Sequence, residues 1–229
     1  MIKYVFFDLD ETLFDFPLAE RLAISETFTR LKIEPTEENI KLYSKINRWC
    51  WDGLERGELT RERLVILRFE MLFDELSLDG LSAEGAQKIY ENALGGQHPF
   101  IAGAEELLSE LCENYELYAV TNGLYSVQSR RIKDAGLDRF FKGYFISEEL
   151  GYSKPDRRFF EAAFATLPRF DKNEAIVVGD SLQSDILGAK NAGVKSCLYN
   201  PKSKENKTEI IPDYEIKNLS ELPRLLKEI

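Results

Sequence analysis

The chain has 229 residues, of which 44% are hydrophobic and 31% charged, so it carries enough apolar material for a sizeable folded core. Its 40 acidic residues outnumber its 30 lysines and arginines, which gives a formal net charge of −10 at pH 7. A surface with this charge repels DNA and acidic membranes, so we expect neither a nucleic-acid polymer nor a membrane as partner. The single histidine, His98, excludes a histidine-rich metal centre.

The three cysteines are odd in number and scattered along the chain, which favours free thiols in a reducing compartment over a disulfide framework. The N-terminus reaches the charged Asp8 without an apolar segment long enough for a signal peptide. We therefore expect a cytoplasmic protein.

Five short apolar runs alternate with helix-like stretches along much of the chain. This alternation predicts an α/β fold, a doubly wound (Rossmann-like) parallel sheet with right-handed connections. The predicted strands are residues 5–7, 116–120, 143–146, 175–178 and 195–199.

Residues 14–98 interrupt the alternation, because they show helical periodicity and no convincing strand. They predict four helices in an inserted all-helical cap domain, and residues 1–13 and 99–229 form the α/β core. Three hydroxyl residues stand where helix N-caps are expected: Thr36, Thr60 and Ser82.

Asp8 and Asp10 directly follow the first predicted strand. Residues two apart in an extended chain point the same way, so both carboxylates can converge at the carboxyl end of the sheet. Two carboxylates this close stay ionised together only if a cation lies between them. The alternative is a pair of solvated turn acids that cap a helix.

Three further polar residues are candidates for binding an anion near the same edge. Thr121 ends the second strand and opens a Thr-Asn-Gly turn, in which its hydroxyl and the N–H of Asn122 could bind a phosphate. Lys154 stands in a loop before a proline. Taken alone, the turn is an ordinary turn and the lysine a solvent-facing side chain.

Asp180 and Asp185 bring acids to the end of the fourth strand. Asp185 could instead lie in the first turn of the next helix, where a negative charge favours the helix dipole. Oxygen ligands without histidine suit Mg²⁺, which retains several waters and bridges to phosphate.

In order and spacing, these motifs resemble the four motifs of the haloacid dehalogenase-like hydrolase superfamily, over nearly the whole chain. The helical insertion after the first motif is similar to a cap of that superfamily. Four stretches look most like its cytosolic pyrimidine nucleoside 5′-monophosphatases: residues 47–51, 55–60, 120–123 and 179–182.

The resemblance implies a phosphomonoesterase in which Asp8 attacks phosphorus and forms an aspartyl phosphate. Asp10 then protonates the leaving oxygen and later deprotonates the hydrolytic water. It also implies Mg²⁺ held by Asp8, Asp180 and the backbone carbonyl of Asp10.

The same resemblance assigns the remaining phosphoryl oxygens to Thr121, the Asn122 N–H and Lys154. It also implies that Asp185 orients Lys154 or a metal-bound water without contacting the phosphate itself. The expected partner is a small phosphorylated metabolite, a nucleoside monophosphate, and the protein is expected to be a monomer or a homodimer.

Glu11 stands where the family motif often has glycine, and we expect its side chain to point away from the phosphate. The presence of Asp10 disfavours dehalogenation, because cleavage of a carbon–halogen bond needs no proton donor for a leaving oxygen.

The substrate-contacting residues of the cap are less constrained by pattern. Trp51 could stack on a nucleobase or pack internally, whereas Trp49 is interpreted as a packing residue. Phe14 and Asp15, where cap and core join, are candidates for lining the entrance.

Three other functions use similar residues: a sugar-phosphate phosphatase, a phosphosugar mutase, and a phospho-accepting receiver protein without turnover. A receiver carries its phosphate acceptor on the third strand, whereas the acceptor candidate here follows the first. A lysine-rich segment, residues 202–207, is predicted to be a solvated loop, and contact with ligand is left open.

Overall fold

A computed structural model describes all 229 residues of the protein. The chain divides into two compact units, which comprise Met1–Asp15 with Pro99–Ile229, and Phe16–His98. The first division falls two residues later than the sequence predicts, because Phe14 forms a β-bridge with Phe100 and the Asp15 N–H donates to the Pro99 carbonyl at 2.8 Å.

The first unit is built on one sheet of six parallel strands: β1 Tyr4–Phe7, β2 Glu116–Thr121, β3 Phe141–Ile146, β4 Ala175–Gly179, β5 Lys195–Tyr199 and β6 Tyr214–Ile216. Their order across the sheet is β3-β2-β1-β4-β5-β6. The predicted doubly wound α/β core is therefore confirmed. The sequence missed β6, because it is three residues long and only Ile216 in it is buried.

Ten α-helices complete the fold: α1 Phe16–Leu31, α2 Glu37–Glu55, α3 Arg61–Glu75, α4 Ala83–Gly95, α5 Ala104–Leu111, α6 Tyr125–Asp134, α7 Ser147–Leu150, α8 Arg157–Ala165, α9 Leu187–Ala192 and α10 Leu222–Glu228. None of them is long and apolar enough to cross a membrane.

The central strand β1 is buried on both faces. Val5 and Phe7 pack in one hydrophobic core with residues of α5, α6 and α10, whereas Tyr4 and Phe6 pack in a second core with residues of α8 and α9. Two covered faces explain the uninterrupted apolar run of this strand. Polar side chains can therefore gather only where the strands end.

The second unit contains the four helices α1 to α4, as the periodicity predicts. All three predicted N-caps are confirmed: the side chains of Thr36, Thr60 and Ser82 accept hydrogen bonds from backbone N–H groups three residues further on.

A buried network of polar side chains joins all four helices of this unit. The Glu20 carboxylate of α1 accepts from Ser44 Oγ at 2.5 Å and from Asn47 Nδ2 at 2.7 Å, both on α2. Arg68 of α3 donates to Asn47 Oδ1 at 2.8 Å and to Gln87 Oε1 of α4 at 2.6 Å. Charged residues are rarely buried unless they are paired, so helical periodicity alone did not identify Glu20 and Arg68 as interior residues.

The interpretation of Trp49 as a packing residue is wrong, because its side chain is 49% exposed. The buried face of α2 is formed by Tyr43, Ile46 and Cys50 instead. Trp51 is half-buried.

Candidate active site

Three neighbouring strands deliver polar residues to one edge of the sheet. Asp8 follows β1, and its N–H donates to the Val178 carbonyl of β4 at 2.9 Å. Thr121 is the last residue of β2, and Asp180 follows β4 directly. Because these strands are parallel neighbours, their carboxyl ends place the three residues together, where α/β folds bind ligands.

Lys154 crosses this edge and is almost fully buried. Its ammonium group donates to Asp8 Oδ1 at 2.6 Å, to Asp185 Oδ1 at 2.6 Å and to the Val120 carbonyl at 2.8 Å. An ammonium has three hydrogens to donate, and these acceptors use all three. The loop lysine is therefore part of the site and does not face solvent.

Carboxylate oxygens of Asp8, Asp180 and Asp185 all lie within 4.8 Å of one another. Lys154 supplies one positive charge against these three negative charges, so a divalent cation would neutralise the cluster. Hard oxygen donors of this kind suit Mg²⁺. The residues present therefore fit the metal that the sequence predicts.

Burial, and after it the charge of neighbouring carboxylates, raises the pKa values of two of these groups. Burial raises the pKa of Asp8 to about 7; the Lys154 ammonium opposes this rise, and the charge of Asp185 adds to it. Burial, followed by the charges of Asp185 and Asp8, raises the pKa of Asp180 well above its usual range. Burial alone would lower the pKa of Lys154, but the two facing carboxylates raise it, so its ammonium is held in the charged form.

A π-helical turn at Leu182–Ile186 carries Asp185, the third carboxylate of this cluster. The Asp185 carboxylate accepts from the Ser181 N–H at 3.1 Å through its second oxygen. Gly179 is needed for this arrangement, because a Cβ at that position would overlap the Asp185 carboxylate.

Asn122 holds the loop that carries Lys154. Its Nδ2 donates to the Lys154 carbonyl at 2.9 Å, and its Oδ1 accepts from the Lys154 N–H at 2.8 Å. The sequence resemblance implies a role for Asn122 through its backbone N–H. The structure adds that its side chain fixes the backbone of the lysine loop.

Asp10 does not join the carboxylate cluster. Its Oδ1 accepts from Arg131 at 2.6 Å and its Oδ2 accepts from Gln128 at 2.8 Å, and both partners lie on α6. Gln128 also donates to Thr121 Oγ1 at 2.7 Å. Sequence reasoning missed Gln128 and Arg131, although a glutamine and an arginine three residues apart in the helix after a Thr-Asn-Gly turn share one helical face.

Phe14, predicted to line the entrance, is wholly buried within the first unit. Its ring packs against Phe100 with 5.2 Å between ring centroids, and the Arg131 guanidinium lies 4.7 Å from its centre. Phe14 therefore packs against Arg131 in the interior of the first unit and does not line an entrance. Asp15 is half-buried and closes the first segment of this unit.

Glu11 adopts a left-handed backbone conformation with φ of 59°. This conformation favours glycine, which accounts for the residue that the family often has there. The Glu11 carboxylate is close enough for its charge to raise the pKa of Asp180, after the larger effects of burial, Asp185 and Asp8. The charge of Lys204, in the lysine-rich loop, lowers the same pKa.

Comparison with known proteins yields matches along almost the whole chain. A family model described as haloacid dehalogenase-like hydrolase matches residues 2–193. The HAD-hydrolase YfnB of Bacillus subtilis is 39% identical over 98% of this chain and 95% of its own length. A magnesium-bound crystal structure of YfnB superposes with a TM-score of 0.92, at 37% identity and with 98% of each chain covered.

Two further relatives are pyrimidine 5′-nucleotidases. PynA of Streptococcus pneumoniae is 35% identical over 96% of this chain and 93% of its own length. YjjG of Escherichia coli is 31% identical over 97% of each. The predicted enzyme class, a phosphoric monoester hydrolase, is confirmed by these comparisons. The chain belongs to the haloacid dehalogenase-like hydrolase family.

Proposed function

We propose that the protein is a Mg²⁺-dependent nucleoside 5′-monophosphatase with a preference for pyrimidine nucleotides, acting through an aspartyl phosphate. The observation that carries the proposal is the convergence of Asp8, Asp180, Asp185 and Lys154 at the carboxyl edge of the sheet. Such a site holds a nucleophile, a cationic side chain and the ligands for a divalent metal in one place.

In the first chemical step a carboxylate oxygen of Asp8 forms a bond to phosphorus, and the bond from phosphorus to the ester oxygen breaks. Asp10 gives its proton to that leaving oxygen. In the second step a water oxygen attacks phosphorus and the bond to Asp8 breaks. Asp10 takes the proton of the water, inorganic phosphate leaves, and both aspartates return to their starting states.

The remaining residues bind and orient the phosphoryl group. The Thr121 hydroxyl and the Asn122 N–H donate to its oxygens, and the Lys154 ammonium, whose hydrogens go to Asp8, Asp185 and the Val120 carbonyl, supplies a positive charge beside them. Bound Mg²⁺, held by Asp8, Asp180 and the Asp10 carbonyl, would neutralise charge on the Asp8 carboxylate and the phosphoryl oxygens.

The nucleotide class of substrate is supported by PynA and YjjG, the relatives that are 35% and 31% identical to the chain. The match with each extends through the helical unit, since it covers at least 96% of this chain. We assign the choice of leaving group to that unit. A match that included only the α/β core would therefore say nothing about the substrate.

The test is phosphate release from a panel of pyrimidine and purine nucleoside monophosphates and sugar phosphates, with Mg²⁺ or with a chelator. Wild type is compared with Asp8→Asn, and Asp134→Asn serves as a matched control because Asp134 forms an exposed ion pair on α6. We expect Mg²⁺-dependent release with pyrimidine preference, lost in Asp8→Asn and retained in Asp134→Asn.

The other outcomes separate the alternatives. Metal-dependent phosphate release that favours sugar phosphates would agree with the proposed mechanism but would refute the nucleotide as substrate. Transfer of phosphate to a second sugar hydroxyl, without free phosphate, would identify a mutase. Full activity in Asp8→Asn would refute the aspartyl-phosphate mechanism.

A further inference from the structure

The side chain of Asp10 is held by hydrogen bonds from α6 and is still partly exposed to solvent. Arg131 and Gln128 each donate to one of its oxygens, yet the Asp10 side chain is still 28% exposed. Each carboxylate oxygen has two lone pairs, so a further position on either oxygen can carry or receive a proton.

Arg131 is held in one orientation by contacts on several sides. It is fully buried, its guanidinium lies 4.7 Å from the centre of the Phe14 ring, and it donates both to Asp10 and, at 2.8 Å, to Gln128 Oε1. A planar guanidinium bound in this way fixes the direction of its hydrogen bonds better than a flexible ammonium would. Because it is fully buried, Arg131 does not reach substrate.

Gln128 links Asp10 to the phosphate-binding end of β2. Its two amide hydrogens go to Asp10 Oδ2 at 2.8 Å and to Thr121 Oγ1 at 2.7 Å. Since Thr121 Oγ1 accepts this bond, its own hydrogen is directed to another acceptor. A phosphoryl oxygen at this edge is such an acceptor.

Gly123 makes room for this link. A Cβ on Gly123 would overlap the Cγ and amide atoms of Gln128. The glycine of the Thr-Asn-Gly turn is therefore required by the side chain of Gln128, which follows it in α6. Hydrogen bonds from Gln128 of α6 therefore join Asp10 to Thr121, the first residue of this turn.

We propose that Arg131 and Gln128 are positioning residues that hold Asp10 for protonation of the leaving oxygen. This inference rests on the proposed function. Proton transfer requires Asp10 within hydrogen-bond reach of the leaving oxygen, and a misplacement of about 1 Å can cost about 100-fold in rate.

The test compares two esters whose leaving groups differ in their need for a proton. The nucleoside of a nucleoside 5′-monophosphate leaves as an alkoxide unless its oxygen is protonated. The leaving group of p-nitrophenyl phosphate is a stabilised phenolate, which needs no proton. The parameter kcat/KM is measured for both, because it covers steps up to departure of the leaving group and excludes the later hydrolysis.

For Arg131→Met we expect kcat/KM on the nucleotide to fall about 100-fold. On p-nitrophenyl phosphate we expect it to fall by no more than about 10-fold. Gln128→Met has similar volume and leaves no buried charge unpaired, so it provides the same comparison if Arg131→Met does not fold. Arg130→Met is the matched control, because Arg130 is the exposed neighbour that pairs with Asp134. It should behave as wild type on both esters.

Equal losses on the two esters in the folded variants would overturn the inference and leave Arg131 and Gln128 with a structural role. Retention of full activity on the nucleotide would also overturn it. If wild type itself released no phosphate from either ester, the proposed function would fail, and the inference with it. The two failures are therefore distinguishable.

Discussion

Arg68→Met should destabilise the four-helix unit by about 3–5 kcal/mol. Arg68 makes two charge-assisted hydrogen bonds, at 2.8 Å to Asn47 and at 2.6 Å to Gln87, and each such bond contributes about 1.5–3 kcal/mol. Methionine fills part of the volume but leaves both acceptors without this donor. It also removes a positive charge that lowers the pKa of the buried Glu20 carboxylate.

Urea unfolding followed by tryptophan fluorescence measures this loss directly. Both tryptophans of the chain, Trp49 and Trp51, lie in α2, so their signal reports the second unit even if the two units unfold separately. Arg63→Met on the same helix is the control, because Arg63 pairs with Glu70 on the surface. It should change the unfolding free energy by less than about 1 kcal/mol.

A double variant tests whether charge compensation is the cause. If Arg68 mainly offsets the Glu20 charge, Glu20→Gln combined with Arg68→Met should cost less than the sum of the single variants, by about 1–3 kcal/mol. A loss below about 1 kcal/mol in Arg68→Met, or a loss equal to that of Arg63→Met, would refute the reasoning.

Three other predictions concern single residues. Burial raises the pKa of Glu20 above 4.5, so the folded protein binds that proton more tightly than the unfolded chain; this stabilisation is complete below pH 4.5 and is lost as pH rises through the folded pKa. The unfolding free energy of wild type, measured by urea titration, should therefore fall relative to that of Glu20→Gln as pH rises above 4.5. Glu11→Gly relieves a left-handed strain of about 1–2 kcal/mol against an entropy cost of about 0.5–1 kcal/mol, so thermal unfolding should show a net gain of up to about 1.5 kcal/mol. If Trp51 stacks on the nucleobase, Trp51→Ala should lower kcat/KM on a pyrimidine monophosphate about 5- to 150-fold while activity on a small phosphate ester is kept.

Each of these has a result that would contradict it. A pH-independent difference between wild type and Glu20→Gln would remove burial as the cause of the raised pKa. Glu11→Ala keeps the Cβ but removes the charge, so an equal gain in Glu11→Ala would show that charge repulsion, and not backbone strain, was relieved. Equal loss of activity on both esters in Trp51→Ala, or the same selective loss in the exposed Trp49→Ala, would end the stacking hypothesis.

Much of this protein follows from local pattern. The runs around Val5 and Ile176 are apolar because both faces of those strands are covered, so their pattern alone predicts a buried parallel sheet. The caps at Thr36, Thr60 and Ser82 satisfy backbone N–H groups within one turn, which makes them readable without tertiary information. Asp8, Thr121 and Asp180 could be assigned to one edge because a parallel sheet aligns its strand ends.

Burial of charge was decided only by the tertiary structure. A sequence pattern predicts which face of a helix is buried but not which element packs against it. Arg68, Arg131 and Glu20 belong to residue types that usually lie on the surface. Each is stable inside the protein because elements distant in sequence supply its hydrogen-bond partners, and Asp10 also supplies an opposing charge to Arg131. Trp49, which periodicity placed in the interior, is exposed, because helix α2 buries the face of Tyr43, Ile46 and Cys50 instead.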